Sequence, residues 1–276
     1  MSSNETRMET RMSIPHFRQQ AFFNLIALLV VIGVNIMANT ATLNGHTTGE
    51  VSDMYPNLFT PAGITFSIWS VIYLGLLAFA GYQLWIAFAP GREGELTSLM
   101  VRMGPWFLLN CLGNACWLFA WHYELIGISL LLMIFILYTL VRIHARFRIA
   151  DPKAPLAEKT FLFFPFGVYF GWITIALFAN LTIWGLAMGW NVYGVGGVYW
   201  TLLCMILGTL AALLMVFRFN NIWYGLTGIW AYYGIILKRD AVASPDSPPI
   251  VAAGTIIMAV LALSILMQLL RKRPLV

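Results

Sequence analysis

The chain has 276 residues, 60% apolar, 15% aromatic and only 10% charged, which excludes an ordinary soluble domain and indicates an integral membrane protein. Its formal net charge of +5 does not point to nucleic acid, because the basic residues are scattered over helix ends and one loop without a contiguous basic, aromatic-interleaved surface. Cys111, Cys116 and Cys204 lie in apolar segments at spacings that suit neither a zinc site nor a disulfide framework, so they read as small core residues.

Residues 1–20 are polar and mixed in charge and predict a mobile cytoplasmic tail. The first apolar run, from Ala21 to Asn39, could be a cleaved signal peptide, since Arg18 precedes it and Ala38 and Ala41 follow. It exceeds the usual core of about 7–15 residues and carries Asn24 and Asn35, which favours a retained helix. Seven further apolar runs follow, near 63–88, 102–121, 125–145, 161–187, 194–217, 221–237 and 250–270. The expected fold is therefore all-α and integral to the membrane, with about eight transmembrane helices. Alternating the sides of the membrane gathers every Lys and Arg on one side except Lys238 and Arg239. The positive-inside rule then places both termini in the cytoplasm. The seventh run is short and ends in Lys238-Arg239-Asp240; a re-entrant segment there would move the C-terminus outside.

Between the first two spans, residues 40–62 contain Asn44-Gly45, Gly49, Pro56 and Pro61 and predict a long outer lid. The stretch Arg142 to Lys159 is basic and belongs near anionic lipid. Span 5, Phe161 to Trp184, has no charged residue and is long enough to cross a hydrocarbon core of about 30 Å. Within it Trp172, Ala176 and Asn180 recur at i, i+4 and i+8, one stripe of an indole, a small residue and an amide. An amide facing hydrocarbon is costly, so this stripe should face other helices or a cavity. Gly167 and Gly171 allow a close helix contact, within the chain or in a homodimer.

Threading the spans by depth brings Asn35 and Asn39 (span 1), Phe66, Trp69 and Tyr73 (span 2), Asn110, Asn114, Trp117 and Trp121 (span 3), and Trp172, Asn180 and Trp184 (span 5) into the outer half, beneath the lid. Taken singly, each indole fits an interfacial aromatic belt and each Asn an interhelical hydrogen bond. Together they describe a pocket with aromatic walls, few polar groups and no charge, suited to a large, flat, mainly apolar ligand. No acidic, basic or imidazole side chain lies deep in a span, which argues against an ion-coupled carrier. His122-x-Glu124 reads as a solvated turn, Lys238 as a hydrated cap, and no catalytic set, phosphate loop or metal site is present.

The series Pro61-Ala-Gly-Ile-Thr-Phe66-Ser-Ile-Trp69-Ser-Val-Ile-Tyr73, then Asn110-Cys-Leu-Gly-Asn114-Ala-Cys-Trp117-Leu-Phe-Ala-Trp121, then Pro165 to Tyr169 with Trp172, Ala176 and Asn180, resembles the tryptophan-rich sensory protein and translocator protein (TspO/MBR) family. The resemblance covers about residues 21–187. It implies a five-helix bundle over residues 21–190 with a tetrapyrrole-binding pocket under its first loop, in which Trp69, Asn114, Trp117, Trp172 and Asn180 would contact the ligand; depth adds Phe66, Tyr73 and Trp184 to the expected ligand-binding set. Three additional helices over residues 191–276 have no counterpart in the compact family. Leu181 stands where some bacterial members credited with light-dependent porphyrin breakdown have a second Trp, and Trp184 is only nearby. The resulting expectation is a binding protein or receptor for a porphyrin- or haem-like ligand, requiring no cofactor, in a bacterial plasma membrane. Its partners are the bilayer and a small hydrophobic ligand, not nucleic acid. Beside it stand a facilitator of a small apolar or neutral solute and, third, a light-dependent porphyrin-degrading enzyme.

Overall fold

Each apolar run of the sequence folds as a helix, the form in which a backbone in hydrocarbon satisfies its own hydrogen bonds. The computed structural model describes residues 3–149, 151, 153–190 and 194–271, with side chains from Ile14 onward. Of the expected charge asymmetry, the Arg7 and Arg11 side chains, Lys272 and Arg273 lie outside the described residues.

Helix α1 (Ser3–Asn39) is followed by a short α2 (Thr48–Asp53), a 3-10 turn (Gly63–Ser67), α3 (Ile68–Phe88), α4 (Glu93–Met103), α5 (Trp106–His122) and α6 (Ile126–Phe147). Then come a single turn α7 (Leu156–Glu158), a π-helical turn (Lys159–Phe163), α8 (Phe164–Ala187), α9 (Gly194–Phe219), α10 (Ile222–Val242) and α11 (Ser247–Arg271). Among the described residues, six helical stretches are long and apolar enough to cross a membrane: Ile14–Asn39, Gly63–Phe88, Ile126–Phe147, Leu156–Ala187, Gly194–Phe219 and Ser247–Arg271. The other two expected spans are α5, whose 17 residues reach about 26 Å, and α10, whose last turns carry Lys238, Arg239 and Asp240.

Two expectations change. Residues 1–20 were expected as a mobile tail, but α1 is helical from Ser3 and its second half is docked. Arg18 Nε donates to Ala87 O (2.8 Å) and Gln20 Nε2 to Gly104 O (2.6 Å), so this segment satisfies carbonyls that the ends of α3 and α4 leave without helical partners. The third span starts at Trp106 rather than 102, because Gly104 (φ +51) and Pro105 break the chain after a separate amphipathic helix. In that helix, α4, Leu96, Leu99, Met100 and Met103 form one buried face at helical spacing.

Helices α1, α3, α8, α6 and α5 pack in a closed ring, each on the next and α5 back onto α1. Helix α8 also carries α10 on its outer side, and α9 and α11 pack on α10. Small residues allow that join. A Cβ at Gly167 would stand 2.7 Å from Asn221 Oδ1, and one at Gly171 2.9 Å from Thr227 Cβ, so the Gly167-x-x-x-Gly171 stripe is used inside the chain. At Gly208 a Cβ would meet Tyr232 Oη at 2.6 Å, so this glycine too serves packing.

Candidate functional site

At one end of the ring, residues 40–62 fold back over the helix termini as a roof. Thr47 and Glu50 form a reciprocal capping box that starts α2, and Val51, Leu58 and Phe59 are buried. Asn57 Oδ1 accepts from the backbone N–H groups of Phe59 and Thr60 (both 2.9 Å), turning the chain so that Phe59 meets Phe178 edge-on at 6.4 Å.

Two neighbours hold this roof. From α5 and the turn after it, Asn44 Nδ2 donates to His122 O (2.7 Å), Trp121 Nε1 to Thr48 O (3.1 Å) and Tyr55 Oη to Glu124 Oε2 (2.8 Å). Burial and the Glu124 carboxylate push the Tyr55 phenol up to about 12. From α10, Lys238 Nζ pairs with Asp53 Oδ1 (2.6 Å) and donates to Thr60 Oγ1 (3.2 Å), Ala62 N donates to Gly234 O (2.9 Å), and Trp230 Nε1 donates to Thr65 O (3.0 Å). The expectation that Lys238 is a hydrated cap is thus corrected. Its side chain is only 17% exposed, because the lid brings Asp53 to it.

Beneath the roof lies a cavity of about 30 Å³. Phe66 and Trp69 of the 3-10 turn and α3, Trp117 of α5, and Trp172 and Asn180 of α8 line it, with Ala176 of the same α8 stripe. Trp121, Met133 of α6, and Ser52 and Pro61 of the roof complete the wall. Trp69 is the hub: it stacks on Tyr73 (5.4 Å, 19°), lies 6.1 Å from Trp117, and meets Tyr169 (5.7 Å, 66°) and Trp172 (6.5 Å, 85°) edge-on. Trp117 in turn stacks on Trp121 at 5.7 Å.

The other predicted residues take different places. Tyr73 and Asn114 do not line the cavity; Tyr73 Oη donates to Asn114 Oδ1 (3.3 Å) and Asn114 Nδ2 to Tyr169 Oη (2.6 Å), a polar tie joining α3, α5 and α8 beside the Trp69 ring. Trp184 also lies off the cavity wall, packed edge-on to Trp190 at 5.8 Å in a second aromatic group with Trp200. Asn39 Nδ2 turns back to Asn35 O (2.9 Å), and Asn110 Nδ2 donates to Thr139 Oγ1 (2.8 Å).

The polar balance at the cavity is uneven. The indole N–H groups of Trp69, Trp117 and Trp172 are buried and have no hydrogen-bond partner among the described residues, whereas Trp121, Trp200 and Trp230 all donate. Trp106, the other buried indole without a partner among the described residues, sits beneath the Arg142 guanidinium, 4.7 Å from its ring. A buried donor left unpaired costs about 1–3 kcal/mol. Asn180 Nδ2 donates to Ser129 Oγ (3.1 Å), and the single Ser129 proton has two acceptors in reach, Ile126 O (2.8 Å) and Asn180 Oδ1 (3.3 Å), so α6 and α8 are tied beside the wall. No imidazole or thiol lines the cavity, and no group of three metal-ligating side chains occurs among the described residues.

Sequence reasoning did not find the roof's anchors. Asp53 and Lys238 are 185 residues apart, and no local pattern links them. A family model described as TSPO-like protein matches residues 21–267. The match runs from α1 into α11, so it extends well past the expected limit near residue 187 and takes in α9 and α10. Comparison with curated proteins and with solved structures gave no match.

Proposed function

Starting from the fact that the chain belongs to the TSPO-like protein family and is an integral, multi-pass membrane protein, we propose that it binds a flat, largely apolar ligand bearing hydrogen-bond acceptors, a porphyrin-like tetrapyrrole, beneath the roof. The observation that carries this reading is that three of the tryptophans lining the cavity, Trp69, Trp117 and Trp172, bury indole N–H groups with no hydrogen-bond partner among the described residues. A macrocycle with carbonyl, carboxylate or imine acceptors would satisfy those donors and cover the aromatic faces. The described wall offers iron a Met133 thioether, a Ser52 hydroxyl and the Asn180 amide rather than an imidazole or thiolate, which favours a metal-free ring.

The closed cavity is about ten- to thirtyfold smaller than a ligand pocket of about 300–1,000 Å³, so binding requires residues 40–62 to lift. The cluster of arginines at the far end of the ring supports an orientation with the roof outside and the basic end in the cytoplasm. Titration of the purified protein with protoporphyrin, read by its absorbance and by tryptophan quenching, tests the proposal. Saturable binding is expected, weakened about tenfold or more in a Trp69→Phe, Trp117→Phe, Trp172→Phe variant that keeps the rings and removes the donors. Binding by a Trp69→Ala, Trp172→Ala variant equal to that of the unaltered protein would overturn it.

A further inference from the structure

At the end of the ring remote from the roof, α6 and α9 finish on either side of Phe170 of α8, and a groove of about 490 Å³ lies between them. Its walls are apolar side chains, including Val141, Met215 and Phe219, and its charged groups are Arg148, Arg218 and Asp151. We propose that this groove holds one anionic phospholipid, with the phosphate between Arg148 and Arg218 and an acyl chain along Phe170, Met215 and Phe219.

Charge complementarity selects the occupant. The neighbouring arginines are committed: Arg102 pairs with Glu158, Arg146 donates to Arg102 O (2.6 Å) and Val101 O (2.7 Å), and Arg142 covers the Trp106 ring. Arg148 and Arg218 are exposed and make no ion pair among the described residues; Arg218 only lies 6.0 Å from the ring of the adjacent Phe219. Asp151 offsets one of the two charges, and its Oδ1 accepts from Lys153 N (2.9 Å), so the groove keeps a net positive charge. His144 adds a ring face rather than a ligand. Its Nδ1–H donates to Leu140 O (2.9 Å), its Nε2 accepts from Asn221 Nδ2 (3.5 Å), and the ring lies 4.5 Å from Phe170. Helix ends on the basic side of a membrane protein sit at headgroup depth, where a groove with apolar walls and a cationic mouth fits a phospholipid better than a soluble anion.

The test uses the full chain in neutral detergent, with lipid retention counted by native mass spectrometry. Dioleoyl phosphatidylglycerol should be retained about tenfold more tightly than dioleoyl phosphatidylcholine, which has the same chains. An Arg148→Gln, Arg218→Gln variant should lose that preference, while an Arg142→Gln, Arg271→Gln variant, with the same charge removed elsewhere on the basic side, should keep it. Equal retention of the two lipids by the unaltered protein overturns the proposal without any variant. So does equal loss of preference in both variants, or displacement of the lipid by inorganic phosphate, which would mark a free-anion site.

Discussion

At the roofed end of the ring, residues 40–62 reach partners on both α5 and α10 and the cavity shrinks to about 30 Å³, whereas at the basic end α6 and α9 part around a groove of about 490 Å³. The same α8 runs through both. The difference lies in what the connections can do. A long outer connection can fold back and fill the space between helix ends, while the two-residue link at Asn220 and Asn221 only turns α9 into α10. Charged side chains at the basic end also resist burial without a partner. One end is therefore shut by protein, and the other is left for the membrane to complete.

Substitutions at the roofed end separate the two. The largest effect belongs to Trp69→Ala. It removes a side chain only 3% exposed that touches Tyr73, Trp117, Tyr169 and Trp172, and it should cost about 3–5 kcal/mol in thermal unfolding in detergent. The phosphatidylglycerol preference at the other end should not move; a coupled loss would show that the two ends are one unit.

Gly234→Val acts at the join between α10 and the roof. A Cβ there would overlap the Thr65 hydroxyl, and Gly234 O accepts from Ala62 N, so overpacking should cost about 1–3 kcal/mol. Hydrogen exchange should quicken over residues 48–66 and stay unchanged over residues 140–149.

Lys238→Met should change global stability by no more than about 1 kcal/mol, because the paired Asp53 side chain is 54% exposed. It should nevertheless speed hydrogen exchange of the roof and association of protoporphyrin, measured by stopped-flow quenching. Unchanged association would mean that the roof is not the entry gate.

The smallest effect is that of pH. The Tyr55 phenol, raised from 10 to about 12, contributes its stabilisation in full below about pH 10, where it is protonated in folded and unfolded chain alike. Above that the unfolded chain loses the proton first, so the contribution fades as pH rises through about 12. Exchange protection of residues 44–56 should fall over that window, and Tyr55→Phe should flatten the dependence.

Much of the candidate site was legible in the chain. Trp172, Ala176 and Asn180 read as one stripe at helical spacing, and all three line the cavity, because side-chain direction along a helix follows the residue count. Depth threading also brought Phe66, Trp69 and Trp117 to the same end. It could not separate Tyr73, Asn114 and Trp184 from the wall, since residues at equal depth on neighbouring helices differ in which neighbour they face. Helix α4 escaped because Glu93, Glu95 and Arg102 lowered the apolarity of a segment whose buried face is only one side of a helix. His144 escaped because its contact with Asn221 appears only when α6 meets the turn before α10, while its bond to Leu140 O is internal to α6.

Taken alone, the sequence determined the helices, their apolar lengths and the side of the membrane that collects arginine, because hydrocarbon thickness and backbone hydrogen bonding act on local composition. Tertiary structure alone decided that the aromatic chamber is shut, that Lys238 reaches Asp53, and that Arg148 and Arg218 flank an open groove. Those outcomes depend on how far helices distant in the chain approach one another, and that distance is set by packing at Gly167, Gly171 and Gly234 rather than by any repeat along the chain.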